Sequence, residues 1–187
     1  MCDQVINCAD RSDEQNCTLL VVEPGYNSKV APFVVNLTAD TVIPAMVNVS
    51  IKLINVIGIE ERNHKISFKF VISMNWYENR ALYHNLKSEV SFNSFNDEEM
   101  RRLWKPYIIY DNTENNEAVE LSEFVKTIMA VTREGEFSSR SGIDVVVEIE
   151  VFDGNKNKIS MNQTCSKSFQ CTYLIHWFPF DTQVSES

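Results

Sequence analysis

The stretch "KISFKFVISMNW", residues 65 to 76, constrains the fold more than any other. Ile66, Phe68, Phe70, Ile72, Met74 and Trp76 fall on every second position, and Lys65, Ser67, Lys69, Val71, Ser73 and Asn75 fill the rest. An extended chain sends alternate side chains to opposite faces, so this pattern reads as a strand with one apolar face to bury. Upstream, "MVNVSIKL" (46–53) alternates Val47, Val49, Ile51 and Leu53 with Asn48, Ser50 and Lys52. It reads as a second half-buried strand. The polar "EERNH" (60–64) between the two turns the chain into a hairpin with one buried side.

Further strands are expected at 122–132 and at 143–152, where "IDVVVEIEVF" runs into the turn pair Asp153-Gly154. The best helical segment is "FNDEEMRRL" (95–103): Asn96 or Asp97 can cap it, acids fill its first turn and bases follow. The polar stretch "GNKNKISMNQTCSKSFQ" (154–170) reads as a long loop or insertion. Strands at regular spacing with one small helix point to an all-β sandwich. A length of 187 residues, 44% hydrophobic and 11% aromatic, suits one domain with a real core and a short appendage.

The chain carries 26 acids against 17 bases, a formal net charge of −9. Nucleic acid is therefore not an expected partner, because neutralising phosphates takes clustered Lys and Arg. No run approaches ~18 consecutive apolar residues, so no bilayer span is expected. The polar N-terminus does not read as a secretory signal. An extracellular address rests instead on N-x-[ST] sequons at Asn16, Asn36, Asn48 and Asn162, which are candidate glycosylation sites. Five cysteines leave at least one thiol unpaired or paired outside this chain. His64, His84 and His176 lie far apart, and the chain has no H-E-x-x-H, G-x-S-x-G or P-loop, so catalysis is not expected.

Residues 2 to 17 read C-D-x-x-x-N-C-x-D-x-S-D-E-x-x-C. Acids and an amide crowded between cysteines supply hard oxygen ligands in a short crosslinked loop, which is what Ca²⁺ requires. The segment resembles the second half of an LDL-receptor class A module. That resemblance implies side-chain ligands from Asp3, Asn7, Asp13 and Glu14 and a backbone ligand from Val5. Gln4 stands where Gly is usual, and Asn7 where Asp is usual. The last three of the module's six cysteines are present, so Cys2 and Cys17 can still close while Cys8 lacks its partner. Two readings stand: a Ca²⁺-binding recognition repeat, and a tail with too few ligands and crosslinks to hold an ion.

Four blocks follow in order: "YNSKVAPF" (26–33), "WYENRALYHN" (76–85), "WKPYIIYDN" (104–112) and "CTYLIHWFPFDTQ" (171–183). Together they resemble the extracellular ligand-binding domain of pentameric Cys-loop ligand-gated ion channels. The second is similar to W-x-D-x-R-L-x-[WY], with Glu78 in the acid position, and the last is similar to the family signature ending in F-P-F-D. The resemblance implies an immunoglobulin-like β-sandwich, five copies in a ring, and a site between each pair of neighbours. It places Val71 and Ser73 on loop D of the complementary face, and Tyr110, Asp111 and Asn112 on loop A of the principal face. Val71 stands where an aromatic is often found, which does not favour a quaternary amine as ligand. Trp76 and Trp104 read as core anchors.

By the same resemblance, Cys171 opens a coupling loop whose apolar tip is Phe178, Pro179 and Phe180, with Asp181 a carboxylate buried against a later arginine. The closing cysteine belongs at 185, where Ser185 stands, so Cys171 either stays free or pairs with Cys165. Loops B and C of the family follow this point. The expected organisation is a partial LDL-receptor class A module at 1–17 and a ligand-binding domain at 18–187, truncated before its last strands. The implied function is the extracellular part of a neurotransmitter-gated channel subunit. Its partners would be a transmitter-like small molecule and neighbouring subunits of a pentamer, with membrane reached through segments absent from this chain. The sandwich itself calls for no cofactor. The alternative is a secreted ligand-binding protein of the same fold without a pore.

Overall fold

The computed structural model describes residues 18–36, 41–110, 126–142 and 148–170. The chain lays down β1 (Leu20–Val22), β2 (Phe33–Asn36), β3 (Thr41–Pro44), β4 (Asn48–Glu60), β5 (Lys65–Tyr77) and β6 (Ala81–His84). After them come α1 (Asp97–Arg102), β7 (Lys126–Thr132), β8 (Ser139–Gly142), β9 (Glu148–Asp153) and β10 (Lys158–Gln170). One sheet runs β1-β6-β9-β8, a second runs β4-β5-β10-β7, and β2 pairs with β3 alone. The fold is all-β and immunoglobulin-like, as the alternating pattern demands.

The described residues divide into two compact units. The first draws on residues up to Val49, on Met74–Pro106 and on Ile128–Met161. Register sets Leu20 beside Tyr83 and Tyr83 beside Phe152 across three strands of the first sheet. All three are buried, as are Met74, Trp76, Met129, Val131, Ile159 and Met161 from strands of the second sheet. The inward phase of β5, β7 and β10 thus supplies one part of this core and the β1-β6-β9 register the other. Helix α1 is a clip. Asn96 accepts from the Glu99 N–H at 2.9 Å, and Glu99 accepts from the Asn96 N–H at 3.0 Å, a reciprocal capping box. The other Glu99 oxygen takes the N–H groups of Leu19 and Leu20 at 2.8 and 3.1 Å, tying the helix start to β1.

The second unit draws on Ser50–Ser73, Tyr107–Thr127 and the residues from Asn162 onward. Its inner face is aromatic: Phe169 stands 5.9 Å from Phe68, 6.2 Å from Phe70 and 6.2 Å from Tyr110 between ring centres. Phe70 meets Tyr110 edge-on at 6.1 Å, a geometry that sets ring edge against ring face. Cys165 lies buried beside them as a free thiol and takes the Tyr110 hydroxyl at 3.7 Å.

Two expectations need correction. The polar stretch 154–170 is not a loop: after a turn it becomes the thirteen-residue strand β10. Ile159, Met161 and Cys165 are buried on one phase of that strand, and the period-two signal is diluted by Gln163 and Lys167 on the same phase. Strand β4 exists and runs longer than 46–53, but it is not half-buried. It is exposed along its whole length, with Ile51 at 69% and Ile59 at 61% of full exposure. Among the described residues it pairs with β5 on one side only. The hairpin turn is a 3₁₀ turn over Glu61–Asn63 closed by His64 at φ 52, a left-handed residue. The helix expected at 95–103 and the strands at 122–132 and 143–152 are present as α1, β7 and β9, the segments 122–125 and 143–147 lying outside the described residues.

Candidate functional site

Three of the four sequence blocks meet in the first unit. Glu78, wholly buried, accepts a forked pair from Arg80, Nε to Oε1 and Nη2 to Oε2, both at 2.8 Å. The Tyr26 hydroxyl donates to Oε2 at 2.9 Å and itself accepts from the Trp104 N–H at 2.8 Å. Arg80 also lies over the Tyr26 ring, 4.7 Å from its centre, and Trp76 meets Trp104 edge-on at 5.9 Å. Burial, with Glu78 nearby, pushes the Tyr26 hydroxyl up to about 12. Gly154 closes the cluster: its N–H donates to Ala81 at 2.9 Å, and an added Cβ would stand 2.0 Å from the Glu78 carbonyl oxygen. This is scaffold chemistry. A carboxylate that is fully satisfied by a bidentate arginine and a tyrosine has nothing left to offer a ligand.

The candidate binding residues lie elsewhere, on the outward phase of β5 and β10 in the second unit. Alternation puts Val71 and Ser73 opposite the buried Phe70 and Ile72. The Ser73 hydroxyl donates to Oδ1 of Asn162 at 2.6 Å, and the Ser67 and Ser168 hydroxyls meet at 2.7 Å. Asn162, Thr164, Ser166 and Ser168 therefore share the face of Val71 and Ser73. Sequence reading missed this half of the face because it took 154–170 for a loop; the alternation of Ile159, Met161 and Cys165 was the signal that could have found it.

Tyr110 is placed on the opposite face. Its ring packs on Phe70 and Phe169, Lys167 stands 5.7 Å from its centre, and burial pushes its hydroxyl well above the usual range, helped by Cys165. Structure thus brings Val71 and Ser73 together and keeps both apart from Tyr110. Asp111, Asn112, Cys171, Phe178, Pro179, Phe180 and Asp181 lie outside the described residues, as do Cys2, Asp3, Val5, Asn7, Asp13, Glu14, Asn16 and Cys17. Of the remaining sequons, Asn36 is on β2 and Asn48 opens β4 with an exposed side chain. Among the described residues no group of three His, Cys, Asp or Glu side chains could hold a metal, and no helix is long and apolar enough to cross a membrane.

One exposed charged cluster marks the first unit. Tyr77 donates to Oε2 of Glu134 at 2.6 Å, and Lys158 donates to Oε1 of the same carboxylate. Burial works to raise the Glu134 carboxyl, but the Lys158 and Tyr77 hydrogen bonds outweigh it and hold the group below its usual range. The hydrogen bond to Glu134 in turn raises both Tyr77 and Lys158.

A family model described as the neurotransmitter-gated ion-channel ligand binding domain matches residues 13–186. No curated protein matches the chain.

Proposed function

Since the chain belongs to the family of neurotransmitter-gated ion-channel ligand-binding domains, we propose that it contributes a complementary surface to one ligand site and a principal surface to another, each completed by a neighbouring copy. The family is one of receptor-channel ligand-binding domains and not of enzymes. The observation that carries the proposal is the placement of Val71 and Ser73 on one face and Tyr110 on the other. Residues back to back on one sheet cannot line one pocket, so a site that uses both kinds needs two chains. In this reading Val71 and Ser73 form the complementary side. Tyr110, with Asp111 and Asn112, forms the principal side, and ligand binding at the boundary biases a two-state ring towards an open pore. The extracellular address, the five-fold ring and the coupling role of Cys171, Phe178, Pro179, Phe180 and Asp181 belong to the same proposal.

The chemistry of the outward face narrows the ligand class. On β5 and β10 the second unit presents the hydroxyl and amide groups of Ser67, Ser73, Asn162 and Thr164, with Lys65 and Lys69 as two cations and no carboxylate. Such a face suits an acceptor-bearing ligand, an amino acid carboxylate for example, better than a bare quaternary ammonium, which wants aromatic rings.

Native mass spectrometry of the full chain with small amine and amino-acid transmitters tests the reading. Assemblies of more than one chain should take up ligand. Ser73→Ala should weaken uptake roughly 2- to 13-fold, the value of one hydrogen bond of about 0.5–1.5 kcal/mol. A chain that stays monomeric and takes up none of the panel, or a Ser73→Ala variant with unchanged uptake, overturns it.

A further inference from the structure

The face that carries Val71 and Ser73 also carries a modification motif. Asn162 opens the triplet Asn162-Gln163-Thr164, in the middle of β10 and with an exposed side chain. Ser73 donates to its amide oxygen at 2.6 Å. That bond engages Oδ1 alone and leaves Nδ2, the atom that carries a sugar, free of β5, so the bond survives modification. We infer that Asn162 is an N-glycan acceptor and that its glycan lies over Val71 and Ser73, closing this face to ligand and to a neighbouring chain. Adjacent strands are ~4.8 Å apart and alternate residues on a strand ~6.8 Å apart, so both side chains fall under the first sugar rings. Asn48, the other sequon residue with a described side chain, opens β4, whereas Asn162 is bonded directly to Ser73.

The donor is a lipid-linked oligosaccharide diphosphate of the secretory pathway. Nδ2 forms the bond to the anomeric carbon, the bond from that carbon to the diphosphate oxygen breaks, the lipid diphosphate leaves, and the amide gives up one proton. The acceptor half of the inference stands on its own; the masking half rests on the reading of this face as ligand-binding. A glycosylated chain would then contribute one competent face and an unglycosylated chain two, so occupancy at Asn162 sets how many sites a ring can hold.

The full chain, passed through the secretory pathway of a eukaryotic host, is treated with peptide N-glycosidase in heavy-oxygen water, and residue 162 is read by mass spectrometry as labelled aspartate. Label is expected at this position in the wild-type chain and in Thr164→Ser, and none in Thr164→Ala, which keeps the Asn162–Ser73 bond. No label at residue 162 in the secreted wild-type chain overturns the acceptor role. For masking, the Ser73→Cys thiol, counted above the wild-type background, should react roughly tenfold more slowly before enzymatic glycan release than after it, given the bulk of a glycan. Equal rates overturn the masking. Because release leaves aspartate at residue 162, the rate after release is matched against Ser73→Cys with Thr164→Ala, which carries no glycan and keeps the asparagine, and both should exceed the rate of the glycosylated chain. Label and slow reaction without ligand uptake would sink the proposed function while leaving the glycan where it is placed here.

Discussion

Glu78 is the residue whose loss should cost the first unit most, and the cost can be worked from its contacts. The carboxylate is fully buried, takes both arms of the Arg80 fork at 2.8 Å, and takes the Tyr26 hydroxyl at 2.9 Å. Glu78→Ala strips these and the bond from the Arg80 backbone N–H at 3.3 Å at once. Arg80 is left with a guanidinium whose side chain is 22% exposed. Breaking a buried ion pair costs ~3–5 kcal/mol, and the water that Arg80 still sees points to the lower end, about 3 kcal/mol. The lost Tyr26 hydrogen bond adds about 1 kcal/mol. In a chain of this size ~1 kcal/mol moves the thermal midpoint ~2–4 °C, so Tm should fall by about 8–16 °C.

Thermal unfolding followed by far-UV circular dichroism measures this directly, and two companion variants locate its source. Glu78→Gln keeps the volume and one acceptor oxygen but turns an amide N–H₂ towards donors, so it should cost about half as much. Glu78→Ala with Arg80→Met removes both charges, and it should be more stable than the sum of the single losses, because no unpaired guanidinium remains. A fall of less than ~1 kcal/mol for Glu78→Ala, or strict additivity in the double variant, would refute the claim that this pair organises the unit.

Gly154→Ala should abolish soluble expression or lower Tm by more than about 10 °C, because its Cβ would meet backbone oxygens of Glu78 at 2.0 Å and Ala81 at 2.6 Å, and backbone cannot swing aside as a side chain can. Burial lifts the Tyr26 hydroxyl from 10.0 to about 12, so the folded state holds that proton longer than the unfolded one. Its contribution to stability is complete below pH 10.0 and drains away as pH rises towards about 12. Denaturant unfolding across that range should show the slope, and Tyr26→Phe should flatten it. Ile51→Lys and Ile59→Lys, on the exposed β4, should reduce concentration-dependent light scattering while moving stability by less than about 0.5 kcal/mol. A lower Tm in either variant would mean that β4 is covered in solution.

The parts of this fold that sequence reveals are those where packing dictates the residue. β5 is legible because six consecutive inward positions are apolar, and α1 because its cap, its acidic first turn and its basic last turn are local. β10 hides for a physical reason: its inward positions include Gln163 and Lys167 alongside Ile159, Met161 and Cys165. Gln163 reaches Thr127 at 3.5 Å and Lys167 lies over Tyr110, so these inward polar groups are satisfied by partners far along the chain that no local pattern announces. β4 misleads in the other direction. Its alternation is real, but what covers an apolar face is a tertiary matter, and period two says nothing about it.

The proposed binding face shows the same limit more sharply. Alternation fixes that Val71 and Ser73 point away from the core, yet Asn162, the partner of Ser73, lies 89 positions later in the chain. Outward positions escape the demands of packing, so their residues are free to serve a ligand, a neighbour or a modifying enzyme, and the strand pattern is blind to which. The hydrogen-bond direction bears on the last of these. If Asn162 turned its amide nitrogen to Ser73, a sugar on that nitrogen would break the contact, and modification would compete with the order of the face. Because the oxygen accepts instead, the two are compatible, and Ser73→Ala should leave glycan occupancy at Asn162 unchanged while weakening ligand uptake in the unmodified chain. Loss of both together would show that Ser73 holds the strand pair itself in place rather than a ligand.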